Sequence, residues 1–90
     1  MNQNTAKIRF PSKDFVDFDP INLDAVELME SETGCTFTVQ AGDSIQTTLQ
    51  ASSIILKRPA VPLVNGKPQD QGYVLQPGDV ITMLFQISGG

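Results

Sequence analysis

Residues 35–45 have the sequence Cys-Thr-Phe-Thr-Val-Gln-Ala-Gly-Asp-Ser-Ile, and this stretch decides the fold. Its first part alternates between apolar and polar side chains, a period of two that predicts a half-buried strand over residues 35–41. Gly42 then makes a turn, and Asp43 and Ser44 are candidates for the N-cap of a helix. A strand that leads through a turn into a helix indicates a sheet with a helix packed across it.

The helix that follows is short and amphipathic. Ile45 and Leu49 recur at helical spacing, with Ile54 or its neighbour as the next position, which predicts a helix over residues 44–53. Two threonines inside it lower its intrinsic propensity, so its stability must come from packing on a sheet.

Upstream of the strand, residues 25–30 are Ala-Val-Glu-Leu-Met-Glu and lead into a turn at Thr33 and Gly34. We predict that they form a hairpin with the strand at residues 35–41. The same stretch also fits a short acidic helix capped by Asn22 or Asp24.

Three apolar pieces follow the helix. Residues 61–64 predict a strand that Pro62 places at an edge or a bulge, and residues 65–66, Asn-Gly, predict a tight turn. Residues 73–75 are a second short apolar segment. Residues 80–87 are apolar on both faces, as in a central strand covered by a helix. The prediction is an α+β fold, with a mixed sheet and one main helix packed across it.

Composition excludes several classes of function. The 90 residues contain no histidine and one cysteine, so the chain lacks the usual general base and the commonest metal ligand, and it cannot close an internal disulfide. We expect no metal site, no bound cofactor and no catalytic residue, and we expect Cys35 to be a small core residue. The cations are scattered and the apolar runs are short, which argues against nucleic-acid binding and membrane association. The expected location is cytoplasmic.

The net charge of −4 is concentrated in the predicted hairpin. The acidic residues there are Asp24, Glu27, Glu30 and Glu32. A solvated acidic surface that keeps a small protein soluble is one interpretation. The other is charge-guided docking of a basic partner on this hairpin.

Residues 78–90, Gly-Asp-Val-Ile-Thr-Met-Leu-Phe-Gln-Ile-Ser-Gly-Gly, carry the most specific motif. A Gly-Asp turn leads into a strand ending Leu-Phe-Gln, then one apolar residue, one variable residue and Gly-Gly. This pattern resembles the end of ThiS-type sulfur carriers, and the Leu-Val-Asn-Gly run at residues 63–66 resembles their upstream strand and turn. The resemblance implies the ubiquitin-like β-grasp fold that these carriers share with MoaD-type proteins.

The resemblance also implies a division of the chain. A β-grasp domain would cover residues 24–90 and end in a flexible Ser-Gly-Gly tail, and residues 1–23 would be an N-terminal extension with a candidate extra strand. In an alternative register, residues 7–10 are the first strand of the sheet and residues 14–34 are a long insertion, closer to MoaD-like proteins.

The function implied by the resemblance is that of a protein co-substrate rather than an enzyme. An adenylating enzyme of the ubiquitin-activating type would use ATP to activate the carboxylate of Gly90. Sulfur transfer would then give a thiocarboxylate that donates sulfur to a biosynthetic enzyme. The alternative is a ubiquitin-like modifier that is conjugated through Gly90 to lysines of target proteins. Ile87, Ser88 and Gly89 would enter the activating enzyme, and glycine suits a narrow passage because it has no Cβ.

Phe85 has two interpretations. At the spacing of the family it would be an exposed aromatic side chain that docks on the activating enzyme, since aromatic residues often anchor interfaces. Alternatively it packs in the core, because alternation along the strand buries either Met83, Phe85 and Ile87 or the residues between them.

Overall fold

Two strands from opposite ends of the chain, β1 (Thr5–Phe10) and β8 (Val80–Phe85), run parallel to each other in the middle of a sheet. The computed structural model describes residues 4–19, 21 and 26–86. The remaining elements are a 3-10 turn (Lys13–Phe15), β2 (Val16–Phe18), β3 (Glu27–Glu30), β4 (Cys35–Gln40), α1 (Ile45–Ala51), β5 (Ile54–Leu56), β6 (Ala60–Val64) and β7 (Lys67–Pro68).

The main sheet has six strands in the order β3-β4-β1-β8-β6-β7. Among the described strands, β1 and β8 are the one parallel pair, and the other neighbours are antiparallel. β2 and β5 form a separate antiparallel ribbon. The described part of the chain therefore confirms an α+β fold with a mixed sheet and one α-helix.

The candidate extra strand of the N-terminal extension is the strand at the centre of this sheet. β1 pairs with β4 from Thr5 opposite Gln40 to Phe10 opposite Cys35, and its other edge pairs with β8. The reason is burial, because alternate residues of β1 are fully buried. Residues 7–10 are thus a strand of the main sheet, as in the alternative register, and residues 14–34, which lie between β1 and β4, are called the insertion. Residues 22–25, which include the proposed boundary between extension and domain, lie outside the described residues.

The predicted hairpin is present but lies at the edge of the sheet. β3 pairs with β4 from Glu27 opposite Thr38 to Glu30 opposite Cys35, so the strand interpretation of this segment is correct and the helical one is wrong. The turn between them is closed by Ser31, whose N–H donates to the carbonyl oxygen of Gly34 at 2.9 Å.

The helix is shorter than the sequence predicts. α1 begins after Ser44, whose side-chain oxygen accepts a hydrogen bond from the Thr47 N–H at 3.1 Å, and it ends at Ala51. Ser53 has a φ of 59°, which turns the chain out of the helix. Ile54 is buried as expected, but it lies in β5 rather than on a further helical turn.

The predicted segments after the helix occur in the predicted order, and β5 and β7 are additional strands. β6 lies beside the edge strand β7 and contains Pro62, whose carbonyl oxygen accepts a hydrogen bond from the Gln69 N–H at 2.9 Å. The missing N–H of proline therefore falls where the two-residue ladder between β6 and β7 ends.

Residues 73–75 do not form a strand. Their backbone groups bond to Gly42 and Asp43, in the loop before α1, and to Ile45, the first residue of α1. The result is one isolated bridge, between Ser44 and Val74.

The core lies on one face of the sheet. The helix contributes Ile45 and Leu49, and the β2–β5 ribbon contributes Val16 and Ile54. The phenylalanines of the chain form one connected cluster on this face, which links the insertion to the sheet. The contacts, by ring-centroid distance, are Phe18–Phe37 at 5.2 Å, Phe37–Phe10 at 5.7 Å, Phe10–Phe85 at 6.0 Å and Phe85–Phe15 at 5.3 Å.

Replacing Gly34 by alanine should destabilise the fold at the point where β1 ends. A Cβ at Gly34 would clash with the carbonyl oxygen of Phe10 and lie 2.8 Å from that of Pro11, and backbone atoms cannot move aside cheaply. We expect Gly34→Ala to lower the free energy of unfolding by about 2 kcal/mol, measured by urea denaturation. Gly72→Ala is the matched control, because the nearest neighbour of its Cβ is a side-chain atom, the carboxylate oxygen of Asp70 at 3.1 Å, rather than backbone. Equal effects of the two substitutions would contradict the close approach.

Candidate functional site

The motif strand β8 occupies the centre of the sheet and is held at both ends. Its last described neighbour, Gln86, donates its N–H to the carbonyl oxygen of Pro59 at 2.9 Å. The predicted reactive segment, Ile87, Ser88, Gly89 and Gly90, lies outside the described residues. The chain is therefore anchored up to the residue that precedes this segment.

Phe85 lies on the inner face of β8. Its ring is half-buried, packs at 6.0 Å from Phe10 and at 5.3 Å from Phe15, and belongs to the aromatic cluster. This position corresponds to the core interpretation of Phe85. Its predicted docking role stays a prediction, and the neighbouring Leu84 is the side chain that this part of β8 presents on the other face.

The two parts of the sequence motif meet at the start of β8 around the carboxylate of Asp79. The Tyr73 hydroxyl donates to Asp79 Oδ2 at 2.7 Å, and the Gln76 N–H donates to the same oxygen at 2.9 Å. Asn65 Nδ2 donates to Asp79 Oδ1 at 3.1 Å, and Asn65 Oδ1 accepts from the Val80 N–H at 3.1 Å. These bonds join the Asn-Gly turn to the Gly-Asp turn and fix where β8 begins.

The surroundings of Asp79 change two pKa values. Burial by itself would raise the pKa of the Asp79 carboxyl, but the hydrogen bonds from Tyr73, Gln76 and Asn65 stabilise the charged form and hold its pKa below the usual 3.8. The hydrogen bond to Asp79, followed by burial and the negative charge, raises the pKa of the Tyr73 hydroxyl. Both shifts favour an ionised aspartate that accepts from a neutral tyrosine.

The other face of the sheet is uncovered by any described residue and combines apolar side chains with two cations. The strand registers place Lys7 and Arg9 at its centre, beside Val80 and Thr82 of β8. The apolar side chains of this open face include Val61, Leu63, Val80 and Leu84 on β6 and β8 and Met29 on β3, and Leu84 is 44% exposed. This surface could not be recognised in the sequence alone. Its signal was the alternation of Lys7 and Arg9 with buried residues, which becomes informative once β1 is known to be central.

Cys35 is a core residue, as the sequence predicts. It is 4% exposed and lies in β4, next to a cleft of about 380 Å³ between the hairpin and the end of β1. Burial, with a smaller effect of the Glu30 charge, raises its pKa to about 11. A thiol with that pKa is protonated at neutral pH and is a poor nucleophile.

The cations after the helix do not assemble into one site. Lys57 lies 3.8 Å from the carboxylate of Asp17, and the Arg58 guanidinium lies 4.9 Å from the ring centre of Phe15. Lys67 is in β7, at the edge of the sheet. The first two cations thus help to hold the insertion against β5.

Comparisons with family models, with curated proteins and with solved structures find no match to this chain. Within the part of the chain that the structure describes, α1 is the one α-helix, and its seven residues are too few to cross a bilayer. In that same part, histidine, cysteine and carboxylate side chains do not gather into a group of three that could hold a metal ion. The candidate site is thus the motif strand with its anchors and the open face beside it.

Replacing Asp79 by asparagine should make the protein less stable at neutral pH and flatten its response to acid. Asparagine has one accepting oxygen, so its NH2 group must face either the Asn65 Nδ2 donor or the two donors at Oδ2, and we expect Asp79→Asn to cost about 1–3 kcal/mol of unfolding free energy at pH 7. Because the folded pKa of Asp79 is lowered, its contribution is complete above the unfolded pKa and is lost as pH falls through the folded value. Urea denaturation at pH 7 and at pH 3 measures the difference between variant and wild type.

The control for this substitution is Asp70→Asn. Asp70 accepts a bond from the Gly72 N–H at 2.8 Å in an exposed turn, so the same chemical change there should cost much less. A stability gap between Asp79→Asn and wild type that stays constant down to pH 3 would show that the carboxylate charge is not what the network stabilises.

Proposed function

We propose that this chain is a ubiquitin-like β-grasp protein that serves as co-substrate of an adenylating enzyme and carries sulfur as a thiocarboxylate at Gly90. The observation that carries the proposal is the position of the motif strand. β8 lies at the centre of the sheet, parallel to β1, and leads directly into the segment 87–90.

The topology supports the β-grasp assignment. A first strand and a last strand lie parallel at the centre, β4 flanks β1 and β6 flanks β8, and α1 lies between β4 and β6 in the chain. A β-grasp fold has this arrangement of a mixed sheet with one crossing helix. The hairpin strand β3 and the β2–β5 ribbon are additions to it, and apart from β5 they come from the insertion between β1 and β4.

The proposed chemistry takes place on the protein and requires no catalytic side chain of its own. The Gly90 carboxylate attacks the α-phosphorus of ATP in the partner enzyme, the bond to pyrophosphate breaks, and an acyl-adenylate forms. A hydrosulfide ion then attacks the acyl carbonyl, AMP leaves, and the resulting thioacid loses its proton to give the thiocarboxylate. The steps need a terminus without a Cβ near the reacting carbon, which glycine provides.

The open face of the sheet is the surface that would dock on the activating enzyme. It contains Leu84 next to Val61, with Lys7 and Arg9 beside them, and it lies on the strand that leads into the reactive segment. Because Leu84 lies on the strand that leads to Gly90, docking through this face would leave only a short stretch of chain between the contact and Gly90. The cations suit a partner with an acidic surface around an apolar pocket.

Replacing Gly90 by alanine should block activation. We expect Gly90→Ala to reduce pyrophosphate exchange with the activating enzyme by roughly tenfold or more, since a misplacement of about 1 Å at the reacting group is enough for such a loss. Ser88→Ala is the control and should stay within about twofold, because a serine-to-alanine change keeps a small side chain. Normal exchange by Gly90→Ala would exclude Gly90 as the reactive end.

Intact mass of the protein purified from its own host separates the candidate functions. One oxygen replaced by sulfur at the end of the chain supports the carrier. Covalent attachment to other proteins supports the modifier instead. An unmodified protein under every growth condition contradicts both.

Replacing Leu84 by arginine should weaken docking without unfolding the protein. Leu84 is 44% exposed, so the free energy of unfolding should change little, whereas loss of an interface anchor costs about 2 kcal/mol, a factor of about 30. The measurement is the apparent KM of the variant in pyrophosphate exchange. Ile55→Arg is the matched control, because Ile55 is 64% exposed on β5, away from this face. Equal effects of the two variants would contradict docking through the open face.

A further inference from the structure

The outer edge of β3 is an open strand edge. β3 is the first strand of the sheet, its inner edge pairs with β4, and no described residue pairs with its outer edge. The Ser31 N–H donates to the Gly34 carbonyl across the turn, so the backbone groups of Ser31 point toward β4. Along an antiparallel ladder, residues whose backbone groups point toward the neighbouring strand alternate with residues whose groups point away from it. The N–H and C=O groups of Leu28 and Glu30 therefore point away from the sheet.

The side chains along this edge have a definite pattern. Leu28 is half-buried against the core, Met29 is 63% exposed on the open face, and Glu27 and Glu30 flank them. Glu30 also lies 3.8 Å from Lys13, which faces it from the 3-10 turn. Glu32 in the turn adds a further negative charge next to the strand. The edge thus presents two apolar residues between two carboxylates.

A second copy of this chain fits the edge poorly, because it brings the same acidic side chains to the junction. Outward-pointing residues must face each other in an antiparallel pair, so the register centred on Glu30 sets the Glu30 side chains of the two copies directly opposite each other. Like charges directly opposite each other destabilise a pair of strands. Charged residues on edge strands are a common means of preventing self-association.

We propose that the outer edge of β3 binds an extended segment of another protein that adds as a seventh strand and carries the pattern basic–apolar–apolar–basic. The segment's backbone would bond to Leu28 and Glu30, and its lysines or arginines would lie opposite Glu27 and Glu30. Its apolar residues would extend the core beside Leu28 and cover Met29. The pattern is symmetric, so it fits either strand direction. The edge belongs to the insertion and is independent of chemistry at Gly90.

The test uses the full chain and capped synthetic peptides. The first peptide has the core Lys-Val-Ile-Lys between short serine and threonine flanks, the second has Glu-Val-Ile-Glu, and the third has the rearranged core Val-Lys-Lys-Ile. Titration followed by ¹⁵N–¹H NMR should show binding of the first peptide, with shifts confined to residues 26–31 and their β4 partners. Amide exchange of Leu28 and Glu30 should slow by roughly tenfold, since these N–H groups become bonded.

Variants of the acidic residues complete the test. Glu27→Lys should weaken binding of the Lys-Val-Ile-Lys peptide by roughly tenfold, because an attractive cross-strand pair becomes repulsive. Glu32→Lys is the matched control, with the same change of charge outside the strand, and should have a much smaller effect. Both residues are exposed, and NMR dispersion confirms that the variants fold.

Several outcomes would overturn the proposal. Equal binding of the rearranged peptide would mean that charge alone, and not a strand, is recognised. Shifts centred on Lys7 and Arg9 would place the peptide on the open face. Shifts of the β3 signals with protein concentration alone would make a second copy the occupant. Absence of binding at millimolar peptide would exclude strand addition of this pattern.

Discussion

The parallel pairing of β1 with β8 is the constraint on which the rest of the structure depends. Parallel neighbours cannot be joined by a hairpin, so the chain between them must return across one face of the sheet. A helix of seven residues is only about 10 Å long, whereas six strands span about 24 Å. The helix therefore cannot cover the inner face alone. The β2–β5 ribbon covers the rest of the inner face. The insertion and the segment after the helix, which form this ribbon, therefore help to close the core.

The aromatic cluster is the means by which the ribbon is attached. Phe15 and Phe18 come from the insertion, while Phe10, Phe37 and Phe85 come from the strands of the main sheet. Each aromatic pair contributes about 0.5–1.5 kcal/mol beyond the burial of its surface. Because Phe85 is engaged on the inner face, β8 is fixed next to the segment 87–90, and Leu84 is left as its exposed outer neighbour. A ligand on the open face therefore meets a strand whose other side is already immobilised.

The sequence predicted what depends on local chemistry and missed what depends on distant pairing. The alternation at 35–41, the Ser44 cap and the apolar run of β8 gave correct elements because each pattern is contained in one segment. The sequence left two registers open and could not decide that β1 is central, since this follows from which strands bury its two edges. Three-residue strands such as β2 are too short to show a period, and Ser53 adopts its positive φ without the glycine that usually signals one. At the candidate site, Asp79 and Asn65 were recognisable as turn residues, but their contact joins two turns.

The insertion also determines how the charges of the two candidate surfaces interact. Lys7 on β1 and Glu27 on β3 lie in one cross-strand row, separated by the neutral Thr38 of β4. Two strand spacings are about 10 Å, close to the Debye length of about 8 Å at physiological ionic strength. The attraction between these charges is therefore largely screened, and neither surface neutralises the other. An acidic partner surface on the open face and a basic strand at the β3 edge can therefore bind without competing for the same charges. The two binding events should affect each other's affinity only as the salt concentration is lowered.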